Sequence, residues 1–261
     1  MFERFVKQKP FSGFGGFGGG GLGLGAGVSP FIASGGTKTG PTSGYFYHEY
    51  STAGSGTPFE VTQGKTDIEV LLIGGGAGGG RGQGWGGGGG GGGAVGVWSV
   101  PIGTGTYDLT VGGDSGGDGN YTRLGPSSSY IQSGGGYEGK DGHPPSDPRN
   151  GQGGPGGVNS VNSWSGYSLP GDYSGSNGAT RGGQDDGGPG GASGGGPQSP
   201  TLWWRPYRNP GSGGSSGGSA GTPDGSPGNL YGGGGKGTYS SGGSQGNGRQ
   251  GRVIIRYPDS V

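Results

Sequence analysis

Apolar and β-branched side chains in this chain gather in short blocks, and long glycine-rich tracts separate the blocks. Between Tyr45 and Tyr50, Tyr45, Tyr47 and Glu49 alternate with Phe46, His48 and Tyr50, the period-2 pattern of a strand. Thr66 to Ile73, Ala94 to Val100 and Thr106 to Val111 are denser in β-branched and aromatic residues, and Gly64, Pro101 and Gly112 mark their ends. In Thr106 to Val111 the spacing puts Tyr107, Leu109 and Val111 on one face and Asp108 and Thr110 on the other, one side buried and one solvated. Tyr121 to Leu124 and Ser129 to Gln132 are shorter strand candidates, and Arg252 to Tyr257 carries a compact apolar run, Val253-Ile254-Ile255, near the end of the chain. That last strand must pair with partners far away in sequence. No stretch holds apolar residues at helical spacing for three turns, so helix content should be close to nil.

Composition changes this picture. Of 261 residues, 83 are Gly and 19 are Pro, and only 24% are hydrophobic, so an ordinary apolar core cannot be assumed. The glycines come in runs such as Gly86 to Gly93 and lack the every-third-residue repeat of collagen. So much Gly and Pro without that period is the usual signature of disorder. We take the glycine as structural instead. A residue without Cβ lets a neighbouring backbone come close and leaves its N–H and C=O free to point sideways. The extended left-handed helix with three residues per turn has no internal hydrogen bonds, so neighbouring copies can satisfy one another where the contact positions are glycine. Gly74 to Gly80, interrupted only by Ala77, and the run of eight at Gly86 to Gly93 are then central helices, and the more substituted Gly-Gly-X text is peripheral. The run of eight would span roughly 25 Å at about 3.1 Å per residue.

Charge and motif chemistry exclude more than they suggest. Sixteen basic and sixteen acidic residues cancel, which removes the electrostatic reason to expect nucleic acid or an anionic membrane. With no Cys there is no disulfide or thiolate metal site, and the N-terminal text lacks the continuous apolar stretch of a signal peptide or membrane span. Gly74, Gly76 and Gly79 satisfy G-x-G-x-x-G after a strand, but in such glycine-rich text the pattern arises by chance and no helix follows to hold a pyrophosphate. Gly64-Lys65-Thr66 imitates the end of a P-loop with Phe59 in place of its first Gly, and Gly116 to Asn120 imitates a calcium-binding nonapeptide with Tyr121 in place of the Asp. His48 and His143 have no triad or metal-site context and read as solvent-exposed or strand-face histidines, while adjacent Asp185 and Asp186 read as a solvated turn. No catalytic residue, cofactor or metal is expected, and the chain is not read as an enzyme.

The run Ile68-Glu69-Val70-Leu71-Leu72-Ile73-Gly74-Gly75-Gly76, the Ala94 to Pro101 strand, Tyr107 to Gly113 and the terminal Arg252 to Tyr257 strand together resemble the glycine-rich domain of phage tail-fibre and other virion proteins, over about 60 to 257. In principle the text is also similar to the polyglycine sandwich of T-even tail-fibre tip adhesins and to the glycine-rich extracellular domain of anaplastic lymphoma kinase. The resemblance implies a bundle of polyglycine II helices and, as in the adhesins, receptor recognition by the loops joining them. The fold expected is therefore mainly β plus irregular: a small antiparallel β-module at 45–132 plus 252–257, an inserted polyglycine II bundle with loops at 74–93 and 133–251, and essentially no α-helix.

Residues 1–44 lie outside the resemblance and read as an N-terminal anchoring segment, with 45–261 as the glycine-rich domain. Phe2, Phe5, Phe11, Phe14, Phe17, Leu22 and Leu24 are spaced on a glycine backbone that cannot bury them alone, so they should pack against other virion proteins. Trp203, Trp204, Arg205, Tyr207 and Arg208 form a dense patch of large side chains in a Gly- and Ser-rich tract, and Trp164, Tyr167 and Tyr173 join them as candidates for contact with a host-surface glycan or outer-membrane protein. The competing use of these aromatics is to roof the bundle or a trimer interface; a homotrimer is the expected assembly. The function expected is a tail-fibre or adhesin component of the virion. The alternatives are a capsid-decorating or cementing protein and, further off, an ice-binding or extracellular-matrix protein. Removing residues 1–28 should release the protein from particles without unfolding the rest, as co-sedimentation and thermal melting would record.

Overall fold

The computed structural model describes residues 30–82, 86–113, 115–142, 151–175, 177–178, 231–235, 237 and 246–259. Among these there is no helix, and every strand pairing is antiparallel. In chain order the strands are β1 (Ile32–Ser34), β2 (Thr37–Thr42), β3 (Tyr45–Tyr50), β4 (Gly54–Ser55), β5 (Phe59–Gln63), β6 (Thr66–Ile73), β7 (Val95–Ile102), β8 (Gly105–Tyr107), β9 (Leu109–Val111), β10 (Thr122–Leu124), β11 (Tyr130–Ser133), β12 (Asn159–Asn162), β13 (Ser168–Tyr173) and β14 (Arg252–Pro258). They form a six-stranded sheet, β13-β7-β6-β14-β3-β2, a five-stranded sheet, β12-β11-β10-β9-β4, and a three-stranded sheet, β1-β5-β8.

The core follows from strand alternation. Ile68, Val70 and Leu72 of β6, Trp98, Val100 and Ile102 of β7, and Val253, Ile255 and Tyr257 of β14 turn one face of the large sheet toward Phe59 and Val61 of β5, Leu109 and Val111 of β9, Leu124 and Ile131. β14 is central because its apolar run is buried on both faces: it pairs with β6 on one side and β3 on the other, placing Val253 opposite both Leu72 and Tyr50. On the outer face of the same sheet, Leu71, Ile73, Val95, Val97 and Ile254 form a second cluster, against which Tyr47 and Tyr231 pack. Further along that face, Arg252 pairs with Glu49 and Arg256 with Glu69.

Several elements depart from the sequence reading. Thr106 to Val111 is broken in two at Asp108: β8 joins the three-stranded sheet through β5, and β9 joins the five-stranded sheet through β10 and β4. Leu109 and Val111 are buried as expected, whereas Tyr107 is only partly buried. β7 runs past Pro101, where it pairs only with β6 and a missing N–H breaks no ladder bond. Residues 31–42, read with the N-terminal segment, supply β1 and β2 and put Phe31 and Ala33 into the core.

His48 is fully buried, so only the strand-face half of its expectation holds. Its Nδ1 lies 2.7 Å from the Gly35 carbonyl, which can only accept, so Nδ1 carries the proton. Nε2 is then left to accept from the Tyr257 hydroxyl at 3.2 Å. Burial holds the imidazole pKa below its usual value; the Gly35 bond opposes this in part, and the Lys38 charge adds to it.

Glycine tracts 74–80 and 86–94 leave β6 and enter β7, and they are buried throughout. Their main chains bond sideways with a three-residue repeat. N–H groups of Gly74, Ala77 and Gly80 donate to Ala94, Gly91 and Gly88; those of Gly75 and Gly78 donate to Asn120 and Gly117; those of Gly76 and Gly79 donate to Arg249 and Gly246. One tract thus donates to three neighbours in rotation. Gly88, Gly91 and Ala94 in turn donate to Lys140, Tyr137 and Gly134, and Gly134, Tyr137 and Lys140 donate to Val158, Pro155 and Gln152. Burial repeats with the same period in the outer tracts: Gly136, Gly139 and Gly142 face inward, as do Gly151, Gly154 and Gly157, with the larger residues of each triplet between them. Uninterrupted glycine lies at the centre and substituted glycine at the periphery, as the text predicts. At the junction with the sheets, the Thr122 and Ser133 hydroxyls donate to the carbonyls of Ile73 and Leu72.

Close approach is what demands glycine here. A Cβ on Gly91 would fall under 3.0 Å from the Pro155 carbonyl, while one on Gly56 would meet nothing within 4 Å. Gly91→Ala should therefore destabilise by about 2 kcal/mol or more, since the neighbouring tract must move aside, and Gly56→Ala should stay within about 0.5 kcal/mol of wild type in denaturant titration. For His48, an unfolded chain takes up a proton near pH 6.5 that the folded chain refuses, so stability should fall as pH drops below about 6.5, by at most about 1.4 kcal/mol per pH unit. His48→Gln, which can still donate to Gly35 and accept from Tyr257, should flatten that part of a melting-temperature profile.

Candidate functional site

The glycine tracts leave the large sheet at Ile73 and Val95, so Thr66 and Ile102, paired with each other, lie at its opposite end. There Pro101 and Ile102 wall an open cleft of about 460 Å³, and Lys65, Thr66, Asp67 and Gly103 complete its lining. Apolar walls with a Lys and an Asp at the rim can hold a flat or aliphatic group while orienting polar substituents.

Aromatic side chains gather around this end. The loop between β12 and β13 passes through two positive-φ residues, Ser163 (φ 53°) and Gly166 (φ 72°), and Gly166 packs beside the Pro101 ring. Trp164 is half-buried against the core and stacks on Tyr107, with ring centroids 6.0 Å apart and planes at 24°. Tyr107 is fixed in turn by its hydroxyl, which donates to the Gly103 carbonyl at 3.0 Å on the lip of the cleft. Tyr167 is 39% exposed, and its ring lies 5.7 Å from that of Trp98. Packing holds these rings on one side while the other stays open, an arrangement that lowers the entropy lost on binding.

Of the aromatic residues expected to meet a receptor, Trp164 and Tyr167 are thus brought to one end of the sandwich. Tyr173 lies on β13 with its backbone opposite Val95, at the end of the sheet nearer the glycine tracts. Trp203, Trp204, Arg205, Tyr207 and Arg208 lie outside the described residues, as do Phe2, Phe5, Phe11, Phe14, Phe17, Leu22, Leu24, His143, Asp185 and Asp186. The contributions of Lys65, Asp67 and Tyr107 were not legible as site residues, because each reads as an ordinary strand or turn position; only the pairing of β6 with β7 and of β5 with β8 sets them side by side.

A small acidic group marks the bundle surface. The Asp118 carboxylate accepts from the Glu138 main-chain N–H and that of Asp141 from the Arg81 N–H, at 2.7 and 2.8 Å. Burial, with Asp141 and Asp118 nearby, pushes the Glu138 carboxyl above its usual range. These carboxylates cap backbone donors that the outermost tracts leave unpaired. Among the described residues no group of three or more His, Cys, Asp and Glu side chains is placed to hold a metal ion, and no helix is long and apolar enough to cross a membrane.

Comparison with curated proteins finds no match. A family model described as a glycine-rich domain matches residues 51–258, a span that takes in β4 through β14 and the glycine tracts they enclose. By that match across most of its length, the chain belongs to the glycine-rich domain family.

Proposed function

We propose that this chain is a structural virion protein of a bacteriophage, a tail-fibre or adhesin component that recognises a host-surface glycan or outer-membrane protein and performs no covalent chemistry. The glycine tracts act as a bundle of polyglycine II helices, a reading supported by the three-residue repeat of their lateral bonds and of their burial, three residues being one turn of such a helix. A bundle joined main chain to main chain is stiff for its mass and presents side chains only outward, which suits an exposed fibre component.

The observation that carries the binding role is the aromatic end, where Tyr107 bonds to Gly103 of the cleft, Trp164 stacks on Tyr107 and Tyr167 lies against Trp98. Tyr and Trp offer broad amphipathic contact at low rotamer cost, and sugar rings and protein loops both meet them well. Trp203, Trp204 and Tyr207 extend the same chemistry in the proposal, and the Phe-rich segment before residue 29 attaches the protein to the particle, in a homotrimer.

Replacing Tyr167 and Trp164 with Ser, separately from a Trp203, Trp204 and Tyr207 to Ser triple variant, should lower host adsorption at least tenfold while particles assemble normally. Adsorption at the wild-type rate by both variants would overturn the receptor role. Gold labelling of intact particles should place the protein on the tail; labelling spread over the capsid would replace this reading with the cementing one.

A further inference from the structure

Three arginines stand on strands of the described sheets, and all three lie against tyrosine rings. Arg252 lies 4.7 Å from the Tyr231 ring centroid and is paired with Glu49; Arg256 lies 4.2 Å from that of Tyr45 and is paired with Glu69. Arg123, on β10, sits 4.9 Å from the Tyr121 ring and 5.1 Å from the Tyr130 ring, and no carboxylate among the described residues meets it. Its Nε is buried and makes no hydrogen bond.

Cross-strand register defines the surroundings. Arg123 is directly opposite Thr110 of β9 and Gln132 of β11, so all three share the outer face of the five-stranded sheet. Tyr121 and Tyr130 lie two residues before Arg123 and Gln132 and so fall on the same face; Tyr121 is 40% exposed. This face combines two aromatic surfaces, one guanidinium with no carboxylate against it among the described residues, a hydroxyl and an amide. The arrangement repeats that of Arg252 and Arg256 with the carboxylate left out.

We infer that this face binds a carboxylate-bearing sugar, a uronic or sialic acid unit of an acidic polysaccharide. The carboxylate takes the place that Glu49 and Glu69 hold at the other two arginines, as a charge-assisted pair with the guanidinium edge. The apolar face of the pyranose ring lies on Tyr121 or Tyr130, and Gln132 and Thr110 supply polar partners for its hydroxyls. A planar fork that matches the two oxygens of a carboxylate distinguishes this from nonspecific attraction, because the chain carries no net charge to draw polyanions in general. The site uses other residues than the aromatic end around Tyr167 and does not depend on the virion assignment.

The test is binding of the full chain to polygalacturonate and to colominic acid, which separate the uronic from the sialic source, beside carboxyl-reduced polygalacturonate and dextran sulfate, followed by isothermal titration. One of the two carboxylated polymers should bind, its carboxyl-reduced form or dextran sulfate should bind at least tenfold more weakly, and Arg123→Lys should weaken the interaction about tenfold or more while keeping the charge. Should Arg123→Lys melt early, Tyr121→Ser gives a second reading at an exposed position, with the same direction expected. Failure of both carboxylated polymers to bind, or unchanged affinity in Arg123→Lys and Tyr121→Ser, or equal binding of dextran sulfate, overturns the site. None of these outcomes alters the adsorption test at Tyr167 and Trp164, so the two claims fail separately.

Discussion

Everything in this molecule depends on main-chain N–H···O=C bonds made sideways between tracts that have almost no side chains. Ordering a residue costs about 1 to 2 kcal/mol of backbone entropy, and glycine returns little of this through apolar burial. The return comes from bonds that start inside the structure: Gly74 through Gly80, all buried, donate in turn to three different neighbours. Approach this close is available only without Cβ atoms, as at Gly91 against Pro155 and Gly76 against Gly233. Glycine's abundance is then the condition for a second kind of core, one made of peptide groups.

The β-sandwich supplies what the glycine tracts lack. Isolated threefold segments have no internal bonds and no reason to stay together. Here β6 delivers one tract and β7 receives another, β10 and β14 each follow a third and a fourth, and the hydrophobic core behind Leu72, Val253 and Leu124 fixes where all of them start and end. Thr122 and Ser133 brace this boundary, their hydroxyls donating to the carbonyls of Ile73 and Leu72 at the end of β6. Two cores of opposite chemistry meet at this seam, and the strands carry register from one to the other.

Strands were legible where β-branched residues cluster, as in Thr66–Ile73, which the text bounds to the residue. They were illegible where they rely on neighbours. β2 is exposed along its length and holds a Gly-Pro pair, so nothing in Thr37–Thr42 announces a strand until β3 lies beside it. β12 and β13 follow the same logic, as polar edge strands of their sheets. The break at Asp108 is a decision between two sheets, and local alternation cannot express it. His48 reads as an ordinary strand position because its two partners, Gly35 and Tyr257, lie 13 and 209 residues away. At the aromatic end, the residue types were visible in Trp164 and Tyr167, while the cleft was not, since it is made by the meeting of Lys65 to Asp67 with Pro101 to Gly103.

The threefold repeat of the lateral bonds has a consequence for how such a chain can change length. Each tract presents its successive peptide groups to different neighbours, so inserting or deleting one residue turns every later donor toward the wrong partner. Gaining or losing three residues returns each later peptide group to the same neighbour and leaves the facing pattern intact. Length changes in multiples of three are therefore the ones that preserve this bonding pattern, much as heptads discipline coiled coils.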